Sequence, residues 1–289
     1  MTPSELADQI ESLIISANDR YASRITKVQD DLYSAIVLKL KDIQTDPDGY
    51  IIQNAHNRTV IDEAETLVDD ALSGKYQQSI EEQISVIPEI DNLNVEYFSS
   101  ASDQFIENRN FIKSIQQQTI QNLETNLLQD GLQYQVKQPI ADIMNQNVNG
   151  GGSFSGFLEQ LRTFIKGNSD LDGRLLSYSR GLLRDALFQY SRAYQQAITS
   201  DLGLVWYLYS GGLIDHSRPF CIERAGNYYT QKEIESWADL DWQGKNPYTT
   251  KSSIFILVAG FNCVHQLIPV HESIVPKDDI DRAKDQGFL

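Results

Sequence analysis

The chain has 289 residues, 41% hydrophobic and 10% aromatic, and a formal net charge of -16. That apolar content can bury a core, which excludes wholesale disorder. Acid outnumbers base both before and after residue 200, so neither part shows the positive surplus that drives nucleic-acid binding, and no specific nucleic-acid partner is expected.

The opening "MTPSELADQIESL" has no basic segment ahead of an apolar one, so no secretory signal is expected. No apolar run approaches the ~20 residues of a membrane span. Two cysteines in so long a chain do not make a disulfide framework, and a reducing cytosol is the expected place of synthesis.

The first element is a long helix. Thr2 can cap it, Pro3 suits its first position and Glu5 completes a capping box. Apolar residues recur at Leu6, Ile10, Leu13, Ile14, Ala17, Tyr21, Ile25, Val28, Leu32, Ile36, Leu40 and Ile43. That stripe spans roughly ten turns and about 60 Å. It requires cover from another long helix or another chain. "TDPDGY" then reads as a turn: placing Gly49 at the sixth position of a calcium loop puts Gln44 first and Ala55 last, where acids are needed.

Further helices are predicted from about Ile51 to Ser73, stopped by Gly74, then on to Ile87, ended by Pro88, and from about Asn94 to Gln129, ended by Gly131. "NQNVNGGGSFSGF" reads as a linker. Beyond it, "FSGFLEQLRTFIKG" and a stretch up to Gly203 with Leu175, Leu182, Leu183, Leu187, Tyr190 and Tyr194 at helical spacing are again helical. Then the texture changes. "LVWYLYSGG" reads as a strand and turn, "YYTQKEIESW" as a short strand and a helix capped by Thr230, and "IFILVAGFNCVHQLIPV" as a second strand-like run. All three tryptophans lie here. The expected fold is mainly α, with an elongated helical N-terminal part over 1–149, a helical connector over 150–202 and a small α+β module over 203–289.

That module holds both cysteines and three of the four histidines. On a strand, Cys263 and His265 would face one spot, and Cys221 could join them on a neighbouring strand. Zinc takes two sulfurs and a nitrogen, but a structural site wants four ligands. His216, Asp215 or His271 would have to complete it. The alternative is two reduced core thiols and a histidine bonded to a backbone carbonyl. No nucleophile elbow, zinc-protease or phosphate-loop motif occurs, and no catalytic or cofactor-binding residue is assigned. Pro219 should hold Ser217–Arg218 extended, Arg218 should pair with Asp215 or another carboxylate, and Asn262 and Ser217 suit turns.

These residues carry a resemblance. "GLIDHSRPFCIERAGNYYTQKEIESW" and "AGFNCVHQLIPV" resemble the C-terminal module of tailed-bacteriophage minor head proteins, the Mu F-like head-morphogenesis family. Asp215, Ser217, Arg218, Pro219, Phe220 and Cys221 match its opening. Gly226, Tyr229, Thr230, Glu233 and Ile234 match its middle. Gly260, Asn262, Cys263, His265, Pro269 and Val270 match its close. The resemblance covers about residues 150–272. Many relatives carry additional cysteines as C-x-x-C and C-R-C, which this chain lacks. The resemblance implies a structural protein of the virion, assembled in the host bacterial cytoplasm, present in a few copies near the portal vertex and acting in head assembly or DNA delivery. Its partners would be portal, neck or capsid proteins and sister copies. The other expectation is an enzyme, with the module as a small metal-dependent hydrolase or effector domain.

Overall fold

Helix α1 (Pro3–Leu40) starts where the capping residues place it. The Thr2 amide donates to the Glu5 carboxylate at 2.7 Å, and the Glu5 amide donates to Thr2 Oγ1 at 3.2 Å. The structure, a computed structural model, describes residues 1–102, 105 and 109–289. The α1 stripe is buried from Leu6 to Ile43 except for a half-buried Leu13. The chain itself supplies the cover, so burial of this face requires no second chain.

The chain divides into two units that interleave in sequence: residues 1–16, 85–120 and 184–289 form one, residues 17–84 and 121–183 the other. None of the four boundaries falls at the Gly-rich stretch near residue 150.

The all-helical unit contains most of α1, then α2 (Ala55–Ala71), α3 (Gln77–Ile84), the end of α5 (Arg109–Leu127), α6 (Asp130–Leu132), α7 (Gln138–Gly150), α8 (Phe154–Lys166) and the start of α9 (Arg174–Leu202). Asn54 caps α2 and accepts the Asn57 amide. Gly74 does not end the helical run. It kinks it, at φ -104 and ψ -106, inside a π-helical turn over Leu72–Tyr76. Gly131 likewise lies within a new helix, beside a second π-helical turn at Gln133–Lys137. The glycine-rich "linker" is a tight corner. Gly151 takes left-handed geometry after α7, and Ser153 caps α8. Inside this unit Tyr21 donates to Ser179 Oγ at 2.6 Å and Tyr76 to the Leu127 carbonyl at 3.0 Å. Gln29 accepts the Leu176 amide at 2.9 Å.

The mixed unit takes the first turns of α1, α4 (Ile87–Ala101), most of α5 and the rest of α9. Pro88 opens α4 instead of ending its predecessor, because the first turn of a helix needs no amide donor there. The continuous helix expected over 94–129 is α4 and α5, and its residues 103, 104 and 106–108 lie outside the described residues. The rest is the small α+β module. Strand β1 (Trp206–Ser210) is central in an antiparallel sheet of order β2-β1-β3, with β2 (Tyr228–Thr230) and β3 (Gln266–Val270). Tyr207 stands opposite Tyr229 on one side and Pro269 on the other.

Both faces of this sheet are covered. Tyr207 and Tyr209 enter one cluster with Phe220, Tyr229, Trp237 and Phe255, while Trp206 and Leu208 enter another with Val270, Val275 and Ala283. This is the period-two alternation of a strand with apolar partners on each side. Helix α10 (Pro219–Ile222), α11 (Gln231–Trp237), α12 (Ile254–Leu257) and α13 (Lys277–Asp285) complete the module. Thr230 caps α11 as expected, and Glu233 makes the cap reciprocal. The segment Ile254–Leu257, expected to be strand-like, is helical. Among the described residues no helix is long and apolar enough to cross a membrane.

Candidate functional site

Cys221 does not lie on a strand. It sits in α10, whose start is set by Pro219 behind an extended Arg218 (φ -66, ψ 144). One turn later the Cys221 side chain points inward and is buried. Cys263 and His265 are not on β3 either, but in the irregular segment between a turn and β3. Their spacing of two still puts both side chains on one side, with Cys263 Sγ 3.7 Å from His265 Nδ1. The ligand atoms of Cys221, Cys263 and His265 all lie within 4.8 Å of one another. Both cysteines are free thiols.

The approach to Cys263 is a tight turn. Val258 (φ 41) and Asn262 (φ 58) have positive φ, which is unusual for residues with a side chain and worst for a β-branched one. At Gly260 (φ +99) a Cβ would stand 1.9 Å from the Gly244 carbonyl oxygen, so only glycine fits. Arg192, reaching from α9, ties the turn down. Its guanidinium donates to the carbonyls of Cys263 at 2.6 Å, His265 at 2.8 Å and Ile256 at 3.1 Å. Arg192 is buried, and burial weakens its hold on the proton while the neighbouring Cys263 strengthens it. Tyr209, from β1, donates to Cys221 Sγ at 3.4 Å and stacks obliquely on the His265 ring at 5.2 Å.

The two thiols divide their proton unequally. The hydrogen bond with Cys263, reinforced by burial, pushes Cys221 up. The same bond, with His265 and the Arg192 charge, holds Cys263 well below the usual thiol range. Burial opposes this shift without reversing it, so of the two thiols Cys263 is the readier to give up its proton and bind metal as thiolate. His265 Nε2 is buried and has no hydrogen-bond partner. An unsatisfied buried polar atom costs about 1–3 kcal/mol. Two sulfurs and an imidazole with a spare nitrogen form a group able to hold a metal ion.

The group opens on a cleft of about 620 Å³, also lined by Glu11, Arg184, His216, Arg218 and Pro219. Among the described residues Arg218 pairs with no carboxylate. It donates to the Phe261 carbonyl at 2.6 Å and lies across Gly244, where a Cβ would stand 2.7 Å from its Nε. Asn262 serves the turn as expected. Its amide donates to the Asp185 carboxylate at 3.1 Å, and its side chain accepts from Arg184. Burial raises the Asp185 pKa against the pull of that amide. Asp215 is exposed and makes no ion pair among the described residues. His271 is engaged elsewhere, accepting the Ser273 amide at 3.2 Å.

Sequence reading missed Arg192, Tyr209 and Asp185. Arg192 had one signal: it falls among Ser191, Gln195 and Thr199, polar residues that interrupt an apolar helix face and are all buried. The chain matches no family model, no curated protein and no solved structure.

Proposed function

We propose that the chain is a structural protein of a tailed-bacteriophage virion, a minor head protein working near the portal vertex in head assembly or DNA delivery. One observation carries the reading. The residues that resemble the Mu F-like module serve one small fold despite their separation in sequence. Arg218, Pro219 and Cys221 line a single cleft with Asn262, Cys263 and His265, Thr230 and Glu233 cap α11, and Pro269 and Val270 pair with β1. In this reading Cys221, Cys263 and His265 hold a structural zinc ion, which when bound ties α10 to the segment before β3. Tyr209, Arg192 and the turn at Gly260 hold the three donors in place. Portal, neck or capsid proteins and sister copies are the partners.

Mass spectrometry of purified virions tests the assignment. The protein is expected at a small, countable copy number, and co-expression with the portal protein should yield a complex. Absence from particles together with failure to bind the portal would overturn it.

The opening of the three-donor group onto a cleft favours a second reading, a metal-dependent hydrolase, since catalytic zinc keeps one position open. Ester and phosphoester hydrolysis by zinc-loaded protein, lost in Cys263→Ser, would support that reading over the structural one.

A further inference from the structure

We propose that His216 is the fourth protein ligand of the metal, delivered by the loop over residues 211–218; this rests on the metal reading of Cys221, Cys263 and His265. The loop begins and ends at that group. At its start, the Gly211 backbone lies against His265: a Cβ there would stand 2.8 Å from His265 Cα. At its end, Arg218 and Pro219 lead into the turn of α10 that carries Cys221. A segment anchored on one donor and leading into another is short enough to act as a clasp.

Of the residues able to complete a zinc set, His216 alone among Asp215, His216 and His271 lines the cleft. It is exposed and forms no hydrogen bond or ion pair among the described residues. The loop starts on two glycines, and Gly211 has φ +147, open to glycine. The Gly212 amide donates to the Glu11 carboxylate at 3.2 Å, and a turn around His216 is closed by the Ile214 amide donating to Ser217 Oγ and the Ser217 amide donating to the Ile214 carbonyl, both at 2.8 Å. Leu213 and Ile214, in the same loop, are 50% and 73% exposed. With His216 the donor set becomes two sulfurs and two nitrogens, a closed structural site. Glu11 lines the same cleft and is the competing donor.

Cobalt(II), added to the full-length chain stripped with chelator, is the probe. One equivalent should produce sulfur-to-cobalt charge-transfer bands and the strong visible bands of a four-coordinate site. His216→Ala should shift the visible bands and weaken binding at least about tenfold, the least that loss of even a supporting residue costs at such sites. His216→Cys should restore tight binding, and cobalt should slow proteolytic cleavage between residues 211 and 218 in the native chain but not in His216→Ala. Unchanged bands and affinity in His216→Ala, or a shift seen with Glu11→Gln instead, overturn the proposal while leaving the metal reading intact. If the native chain takes up no cobalt, both fall together.

Discussion

The all-helical unit and the C-terminal module are stabilised in different ways. In the helical unit the work is spread along a stripe: Ala17, Tyr21, Ile25, Val28, Leu32 and Ile36 each bury one side chain per turn. In the module it is concentrated. Three short strands and helices as brief as four residues have too few backbone bonds to stand alone. They depend on single groups such as Arg192, Gly260 and the Thr230–Glu233 cap. Distributed burial tolerates substitution in small steps, whereas a hub of hydrogen bonds fails when its centre is removed.

Arg192→Met should therefore have the largest effect. It keeps the apolar stem of the side chain but removes the guanidinium, stripping donors from the buried carbonyls of Ile256, Cys263 and His265. A loss of about 3 kcal/mol or more is expected from chemical denaturation, together with loss of metal uptake. Full retention of both would show that the module is not organised around this residue. Gly260→Ala comes next, at about 2–3 kcal/mol, because the added carbon meets a backbone oxygen that cannot swing aside. Gly150→Ala in the helical unit is the matched control: Gly150 lies in α7 with nothing within 4 Å of the added carbon, and no loss is expected, since alanine is favoured over glycine in a helix by up to about 1 kcal/mol. Equal costs at the two glycines would erase the contrast.

The same contrast explains what could be read from the sequence. The α1 stripe was legible because helical periodicity is local, and so was the Thr2–Glu5 cap. The aromatic and β-branched run "LVWYLY" ahead of two glycines marked β1, and Thr230 the start of α11. What covers the stripe was not legible, because apolar spacing specifies a face and not its partner. Gly74, Pro88, Gly131 and Gly151 all read as breaks. Each is absorbed into a kink, a first turn or a corner once tertiary packing decides. The meeting of Cys221 with Cys263 and His265 was anticipated, but on paired strands. A proline-started helical turn and an irregular segment ahead of β3 bring them together instead. Arg192 stayed hidden because nothing in its neighbourhood marks which carbonyls, some seventy residues away, will need a donor.

Smaller effects sharpen the comparison at single hydrogen bonds. Tyr21→Phe removes the bond to Ser179 and leaves the ring in place, so about 1 kcal/mol should be lost. Thr230→Ala removes one half of the α11 cap and should also cost about 1 kcal/mol. The two should differ in reach. Amide hydrogen exchange should quicken across α11 and β2 in Thr230→Ala, whereas in Tyr21→Phe the change should stay small along α1, whose stripe is otherwise intact.

The smallest expected effect is a change of slope with pH, at Asp185. Burial raises its pKa above the ordinary 3.8, with the Asn262 amide, Arg184 and Arg192 pulling it back down. In the window from about 3.8 up to the folded-state value, the folded chain holds a proton that the unfolded chain has released. Stability contributed by this group is therefore present at low pH and falls as pH rises through the window. Asp185→Asn keeps an oxygen able to accept the Asn262 amide and removes the charge. Its stability should lack that fall, so the difference between variant and native chain should move in the variant's favour from pH 3.5 to pH 6. Denaturant midpoints measured across that range test this. A difference that moves the opposite way would mean that the Arg184 and Arg192 charges outweigh burial at Asp185, and that this corner of the module is held by ion pairing and not by its backbone turn.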